Sequence, residues 1–381
     1  MQLYKLGDIA EKKAPLKALG VEQGGVSIIH KKMSLYYFMI KDLRTPAVNI
    51  LKQDALSIGA ELAVPSGAIT CEKETFDCLL IGNQKQIEIL SRKELAQPFG
   101  LKAVAEALSG HLRAPIPTKN PQIMGVINAN DDRFYAGSRF MASGALARIE
   151  AMIEEGADVI DIGAVSSRPG ASSVPESEEL ARIRPICEAI QASRLYEKVQ
   201  FSIDSYTPSV VELALRSGFG IVNDITGAKD QKIIALAKKY DAKLCIMHMQ
   251  GEPQTMQEKP YYDDVMVEVS QFFAERIAEC EAQGLRREQI ILDVGIGFGK
   301  RLEDNLTLLK NLGHFRQFGC ELLVGASRKS MIDHIIPTPV EERLPGTLIL
   351  HLKAIEQGAD MIRCHDVSAH RQAIEVAKHI K

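Results

Sequence analysis

Three stretches repeat one pattern: Glu154-Glu-Gly-Ala-Asp-Val-Ile-Asp-Ile-Gly163, Arg216-Ser-Gly-Phe-Gly-Ile-Val-Asn-Asp-Ile-Thr-Gly227 and Glu356-Gln-Gly-Ala-Asp-Met-Ile-Arg-Cys-His-Asp-Val367. Each is a helix end, a glycine, a short apolar run and then polar residues. Glycine suits the left-handed C-cap of a helix, and an unbroken apolar run suits a parallel strand covered on both faces. The polar residues then fall at the C-terminal end of the strand. Five further runs fit the template: Ile123–Asn128, Val199–Asp204, Leu244–Met249, Ile290–Gly295 and Leu322–Ser327. The eight polar ends lie near Asn128, Asp161, Asp204, Asn223, His248, Asp293, Ser327 and Arg363, spaced close to the ~30 residues of one βα unit. Amphipathic helices fill the intervals. Residues 142–155 put Leu146, Ile149 and Ile153 on one face, and 263–283 have Val267, Phe272 and Ile277 among their apolar positions. Thr207-Pro208 reads as an N-cap followed by proline at the first helical position. Eight βα units predict an α/β fold of the (β/α)8 TIM-barrel type. A doubly wound sheet would gather its ligand at one switch point, not carry polar groups after nearly every strand.

Upstream of the barrel, Leu112-Arg-Ala-Pro-Ile-Pro-Thr-Lys-Asn-Pro121 is punctuated by prolines and reads as an extended linker. It divides the chain into a small α+β domain, 1–115, and the barrel, 116–381. In the first domain 25–30, 35–40 and 77–82 read as strands, while 46–57 and 100–109 have helical spacing. The 381 residues carry 46 Lys and Arg against 49 Asp and Glu, a net charge of −3, with no polybasic footprint for nucleic acid or an acidic membrane. No stretch approaches the ~18 apolar residues of a membrane span, and the opening MQLYKLGDIAEKKAPLK lacks a signal-peptide core. These features predict a soluble, cytoplasmic chain. Seven scattered cysteines with no C-x-x-C pair read as reduced thiols, each a small core hydrophobe.

In a barrel, residues at the C-terminal strand ends converge on one site. The predicted pocket holds Asn128, Asp204, Asn223, Asp293, Lys329, Arg363 and His365. Any one of them could be a helix cap or an ion-pair partner. Burying all of them in one place is costly without a ligand. Two carboxylates and an amide suit a heterocycle edge bearing several N–H donors, since a carboxylate only accepts. Lys329, Arg363 and His365 suit an anionic leaving group or a ring carbonyl, and Arg363 presents a planar fork to phosphate. Gly295-Ile-Gly-Phe-Gly-Lys300 invites a phosphate-loop reading but lacks the G-x-x-x-x-G-K-[ST] spacing. In Met247-His248-Met249 a metal site has no second ligand at usable spacing, so Met247 reads as a thioether wall of the pocket.

Read in order, IMGVIN, DIGAVSSRPG, IDS, NDITG, MHMQGEPQTM, ILDVGIGFGK, SRKS and RCHDV resemble the signature segments of the dihydropteroate synthase family, a folate-pathway enzyme, over residues ~121–381. The resemblance implies a barrel that condenses 6-hydroxymethyl-7,8-dihydropterin pyrophosphate with 4-aminobenzoate, with Mg²⁺ present, and that works as a homodimer and a sulfonamide target. It further implies that Asp204, Asn223 and Asp293 bind the pterin edge and that Lys329 meets its carbonyl and ring nitrogen. Asn128, Arg363 and His365 would hold pyrophosphate, with Asn128 on the metal. Ser167, Arg168 and Pro169, with Phe298 and Ser330, would frame the aminobenzoate, and Asp132 and Phe134 would belong to the first loop of the lid. By the same resemblance Asp132, Arg168, Lys329, Arg363 and His365 form the catalytic set. Such a substitution needs no protein nucleophile: diphosphate departs with its metal, the pterin stabilises the developing cation, and a neutral aniline nitrogen attacks.

The lid departs from the family pattern. Where the family has N-V-T-P-D-S-F-S-D-G-G, this chain has Asn128-Ala-Asn-Asp-Asp-Arg-Phe-Tyr-Ala-Gly-Ser138, so that Ala136 replaces the second aspartate. E-S-T-R-P-G is here Val165-Ser-Ser-Arg-Pro-Gly170, and D-P-G is Asp293-Val294-Gly295. Two alternatives stay open at the level of sequence: a pterin-dependent methyltransferase acting with a corrinoid protein, and a pterin-binding paralogue without turnover. Residues 49–69 and 97–108 resemble the leading segment of some longer bacterial family members, which reads as a stabilising or docking module.

Overall fold

The computed structural model describes residues 12–113, 120–128, 138–165, 174–252 and 254–380. Two compact units result, whose described parts are 12–113 and 120–380.

The first unit is built on a three-stranded antiparallel sheet in the order β1-β3-β2, with β1 Leu35–Arg44, β2 Glu61–Ala63 and β3 Thr75–Asn83. Strands β1 and β3 pair from Leu35↔Asn83 to Arg44↔Thr75, with an irregularity between Ile40 and Leu43. Inward residues of β3 alternate along the strand, and Cys78 and Leu80 join Val48 and Leu51 of the helix Thr45–Ser57 and Ile87 and Leu90 of the helix Gln84–Lys93 in one core. Residues 25–30 are not a strand. They fall in the helix Gln23–Ile29 and the turn of 3-10 helix that follows, burying only Val26. A six-residue apolar run carries no period long enough to separate the two, and here the chain satisfies its backbone locally. Strand β2, three residues long, is too short to have left a pattern.

The second unit is a closed barrel of eight parallel strands. They are β4 Gln122–Asn128, β5 Val159–Gly163, β6 Gln200–Asp204, β7 Ile221–Asp224, β8 Lys243–Met247, β9 Ile290–Asp293, β10 Glu321–Val324 and β11 Met361–Cys364. Pairing of β11 with β4 closes the ring. The barrel and not the doubly wound sheet is therefore the fold. The helix-ending glycines of the three repeated stretches, Gly156, Gly218 and Gly358, all have φ near +95° to +101°.

Because strand side chains alternate, residues two apart face the same side. Met124, Val159, Ile221, Cys245, Ile291, Leu323 and Met361 form one apolar layer inside the barrel. Two residues further along five of these strands come Asp161, Asn223, Met247, Asp293 and Arg363. The apolar layer is thus the floor on which the polar layer stands. Outside the ring, Phe201, Ile203, Val222, Ile246 and Leu292 pack against the surrounding helices. In the helix Val265–Ala282 the buried face is Val265, Val269, Phe273, Ile277 and Cys280, whereas Val267 is 49% exposed, so the expectation for that residue fails. Six cysteines are buried, but Cys71 is exposed and does not serve a core.

Candidate functional site at the barrel mouth

Strand register brings the predicted residues together. Asp204 on β6 lies opposite Asn223 on β7, and Met247 on β8 opposite Asp293 on β9. All four are buried. Arg363, from β11, reaches across the barrel: its Nε donates to Asp161 Oδ2 and its Nη2 to Asp204 Oδ2, both at 2.7 Å. The Asn223 amide donates to the same Asp161 oxygen at 3.2 Å. Burial works against the charge on Arg363, but Asp161 and Asp204 outweigh it and hold its pKa above the ordinary value. Burial pushes Asp204 up to about 7, with Arg363 opposing. Asp293 is raised by the same cause, opposed first by Lys329, while its Oδ1 accepts the Gly295 N–H at 2.8 Å.

Asp161 is the residue that the sequence reading left out of the pocket. It is fully buried, and its second oxygen has no hydrogen-bond partner among the described residues. Its signal was present, since it stands two residues after the inward-facing Val159. Arg363 was expected as a fork for phosphate, but two of its nitrogens are engaged by carboxylates. It therefore links β11 to β5 and β6 across the barrel.

Lys329 caps the short helix Ser330–Ile335 from outside it. Its ammonium donates to the Ile296 carbonyl and stands 4.5 Å from the centre of the Phe298 ring. Burial lowers it to about 8, with Asp293 opposing. Ser330, the first residue of that helix, is exposed. His365, after β11, shares a hydrogen bond of 2.9 Å between Nδ1 and Ser327 Oγ, and its backbone N–H also donates to that oxygen. Asn128 ends β4, half-buried. Asp132, Phe134, Ser167, Arg168 and Pro169 lie outside the described residues.

Groups behind the mouth hold the loops in place. Arg328 pairs with Asp366 through two bonds of 3.0 and 2.8 Å, tying the segment after β10 to that after β11. Beneath it runs a one-way chain of hydrogen bonds. The Ala326 N–H donates to His351 Nε2, so His351 carries its proton on Nδ1 and gives it to His370 Nε2, whose own Nδ1 donates to the Asp366 carbonyl. Backbone groups fix both ends, so both rings are neutral. Burial lowers the pKa of each accordingly. After β6, the hydroxyls of Ser205 and Thr207 donate to the two oxygens of buried Glu179, at 2.6 and 2.7 Å. Thr207 is the N-cap residue, as its sequence context predicts, but its side chain serves Glu179 and not the helix.

A cluster of buried acceptors beside cations at the mouth of a barrel is a site for a polar heterocycle and an anion, and comparison with known proteins agrees. The family model for pterin binding enzymes matches residues 124–365. The chain is 42% identical over 260 residues to the dihydropteroate synthase of Escherichia coli, covering 68% of this chain and 91% of that one. It is 40% identical over 369 residues to a bifunctional dihydropteroate synthase/dihydropteroate reductase of Helicobacter pylori, covering 97% and 96%. Among solved structures, the Yersinia pestis dihydropteroate synthase in a sulfonamide drug complex superposes with a TM-score of 0.64 at 37% identity, covering 70% of this chain and 97% of that one. The Burkholderia cenocepacia enzyme complexed with 7,8-dihydropteroate gives 0.61 at 39% identity, covering 68% and 91%. Eight motifs in order, a closed barrel with its acceptors at the mouth, and matches at this level across most of both chains have one reading: the chain belongs to the pterin-binding enzymes and, among them, to the dihydropteroate synthases.

Proposed function

We propose that the barrel condenses 6-hydroxymethyl-7,8-dihydropterin pyrophosphate with 4-aminobenzoate, giving 7,8-dihydropteroate and pyrophosphate. The observation that carries this reading is the buried ring of Asp161, Asp204, Asn223 and Asp293 around Arg363, with Lys329 at its edge. Asp204, Asn223 and Asp293 accept from and orient the pterin's amino-pyrimidinone edge, and Lys329 donates to its carbonyl and ring nitrogen. Met247 walls the ring, while Phe298 and Ser330 face the aminobenzoate. His365 and Arg363 meet the departing diphosphate. Mg²⁺ takes most of its ligands from substrate phosphates and water. Asn128, a hard amide oxygen at the end of β4, fits such an ion as the protein's ligand. When bound, the ion would neutralise charge on the diphosphate. The protein's own contribution is orientation and a dry, charged pocket in which the aniline nitrogen reaches the reacting carbon.

The test is a coupled pyrophosphate-release assay with both substrates, with and without Mg²⁺, in the presence and absence of a sulfonamide competing with 4-aminobenzoate. Pterin binding without pyrophosphate release would mark a paralogue that has lost turnover. A working homodimer and a cytoplasmic location belong to the same reading and are tested by sedimentation and fractionation.

A second activity is favoured by one finding. The Helicobacter relative that bears both names matches over 369 residues, which includes most of the first unit. Anaerobic incubation of the full chain with 7,8-dihydropteroate and NADPH or a reduced flavin should then give tetrahydropteroate. No conversion with either donor removes this second activity.

A further inference from the structure

The glycine-rich run after β9 is not a phosphate cradle, because its lysine turns inward and three of its five N–H groups and all its carbonyls are already engaged. The Gly295 N–H donates to Asp293 Oδ1, the Gly297 N–H to Asn305 Oδ1 and the Phe298 N–H to the Gly295 carbonyl. Its five carbonyls all accept as well: Gly295 and Phe298 from Lys300, Ile296 from Lys329, Gly297 from Gln257 and Gly299 from Tyr262. The lysine that invited the phosphate-loop reading turns inward. It is 3% exposed, and its ammonium donates to the carbonyls of His248 at 3.1 Å, Gly295 at 3.1 Å and Phe298 at 3.0 Å. Three protons meet three acceptors, which is the bonding capacity of a charged ammonium. Burial lowers its pKa to about 7, with Asp293 and Asp304 opposing and Lys329 adding to the fall, while the three carbonyls favour the charged form.

A second observation is independent of the lysine. Gly295 and Gly299 have φ of +65° and +59°, and a Cβ there would stand 2.0 Å from the His248 carbonyl oxygen and 2.2 Å from that of Gln250. The turn lies backbone to backbone on the segment that leaves β8, closer than any other residue type permits. The glycines allow the approach, and Lys300 bonds across it. The far end of the turn is Phe298, whose ring lies under the Lys329 ammonium.

We propose that Lys300 is a positioning residue for the aminobenzoate subsite: its ammonium fastens the glycine turn 295–299 to the end of β8 and so sets Phe298 against Lys329. This rests on the synthase reading above. Asp204 and Asn223 hold the pterin edge from β6 and β7, apart from the fastener, and Asp293 and Lys329 touch the turn only through the Gly295 N–H and the Ile296 carbonyl, so pterin affinity responds less than the aminobenzoate KM when the fastener is removed.

The experiment is a double-mutant cycle in the full-length protein, with Lys300→Met, Phe298→Leu and the pair. Each is read by calorimetric pterin affinity and by the KM for 4-aminobenzoate. Lys300→Met should leave pterin affinity within ~3-fold and raise the aminobenzoate KM by ~10-fold or more, and that rise should vanish in the Phe298→Leu background. Lys300→Gln, which keeps donors for part of the set, should fall between wild type and Lys300→Met, and it carries the same cycle if the methionine variant fails to fold. Equal KM effects in both backgrounds, or pterin affinity falling in step with the aminobenzoate KM, would overturn the inference while leaving the synthase reading intact. A wild type that binds pterin but releases no pyrophosphate would overturn both.

Discussion

At the scale of single residues the site is a balance of buried charge. Asp293 uses one oxygen on the Gly295 N–H, which leaves the other face of the carboxylate for a ligand donor. Asp293→Asn can keep the first bond through its carbonyl but turns an amide donor toward the pterin. Pterin binding should weaken by ~2–4 kcal/mol in a folded protein. Unchanged affinity by calorimetry would remove Asp293 from the pocket. Arg363 and Lys329 differ in what they leave behind. Arg363→Ala strands Asp161 and Asp204, side chains 0% and 10% exposed, so it should cost ~3 kcal/mol or more of folding stability along with pterin and pyrophosphate affinity. Lys329→Ala leaves a carbonyl and a ring face, and it should lower turnover with a smaller stability loss. Urea titrations of the two variants side by side check this, and equal losses would place Arg363 outside the carboxylate network. Asp204, raised to about 7, gives the pocket its pH response. Once ionised, the carboxylate only accepts, through both oxygens and with charge-assisted bonds, so pterin affinity should rise with pH through about 7 and level off above, with a proton released on binding near pH 6. Calorimetry in buffers of different ionisation enthalpy reads that proton. For stability the sign is the reverse: a carboxyl whose folded pKa lies above its unfolded ~3.9 contributes least penalty in acid and its full penalty above about 7.

Elements were legible in the sequence where a pattern repeated. All eight barrel strands could be placed because each is an apolar run ending in a polar residue, and three of them follow a helix-ending glycine. Register was not legible, and register is what puts Asp204 opposite Asn223 and sets Asp161 beneath Arg363. Asp161 was readable from strand parity. Glu179 and His351 were not, since each acts through contacts with segments distant in sequence, and nothing local distinguishes them from surface polar residues; Lys300 stood out in its glycine-rich run, but for a phosphate role and not for its inward contacts. The His351–His370 chain shows what such contacts do, because it joins the helices Leu344–Glu356 and Val367–Ile380 to the loops that carry Lys329 and His365. Both rings must be neutral, with folded pKa values below the unfolded ~6.5. Their stabilising contribution is therefore complete above about 6.5 and is lost as the pH falls below it. His351→Phe removes one acceptor and one donor inside the protein, and it should cost ~2–4 kcal/mol at pH 8. Its stability should also fall less steeply than that of wild type between pH 6.5 and pH 5. Parallel denaturation curves across that range would show that the pair does not carry the acid sensitivity.

For the whole molecule, two cores imply two separable stabilities. The first unit gathers Leu51, Leu80, Leu90 and Leu101 in its own cluster, and every residue assigned to substrate belongs to the second. Residues 116–381 expressed alone should therefore fold and bind pterin with affinity within ~3-fold of the full chain. The same truncation separates the two proposed activities. Condensation depends on the barrel mouth, whereas reduction is argued only from the relative that also matches the first unit. The truncated protein should therefore release pyrophosphate at close to the full-length rate and form no tetrahydropteroate with any reductant. Reduction that survives in 116–381 would place that chemistry at the barrel mouth, the proposed seat of the pterin ring. An insoluble fragment would instead make the first unit part of the barrel's stability, in which case its contribution is measured by calorimetric unfolding of the full chain as one transition or two.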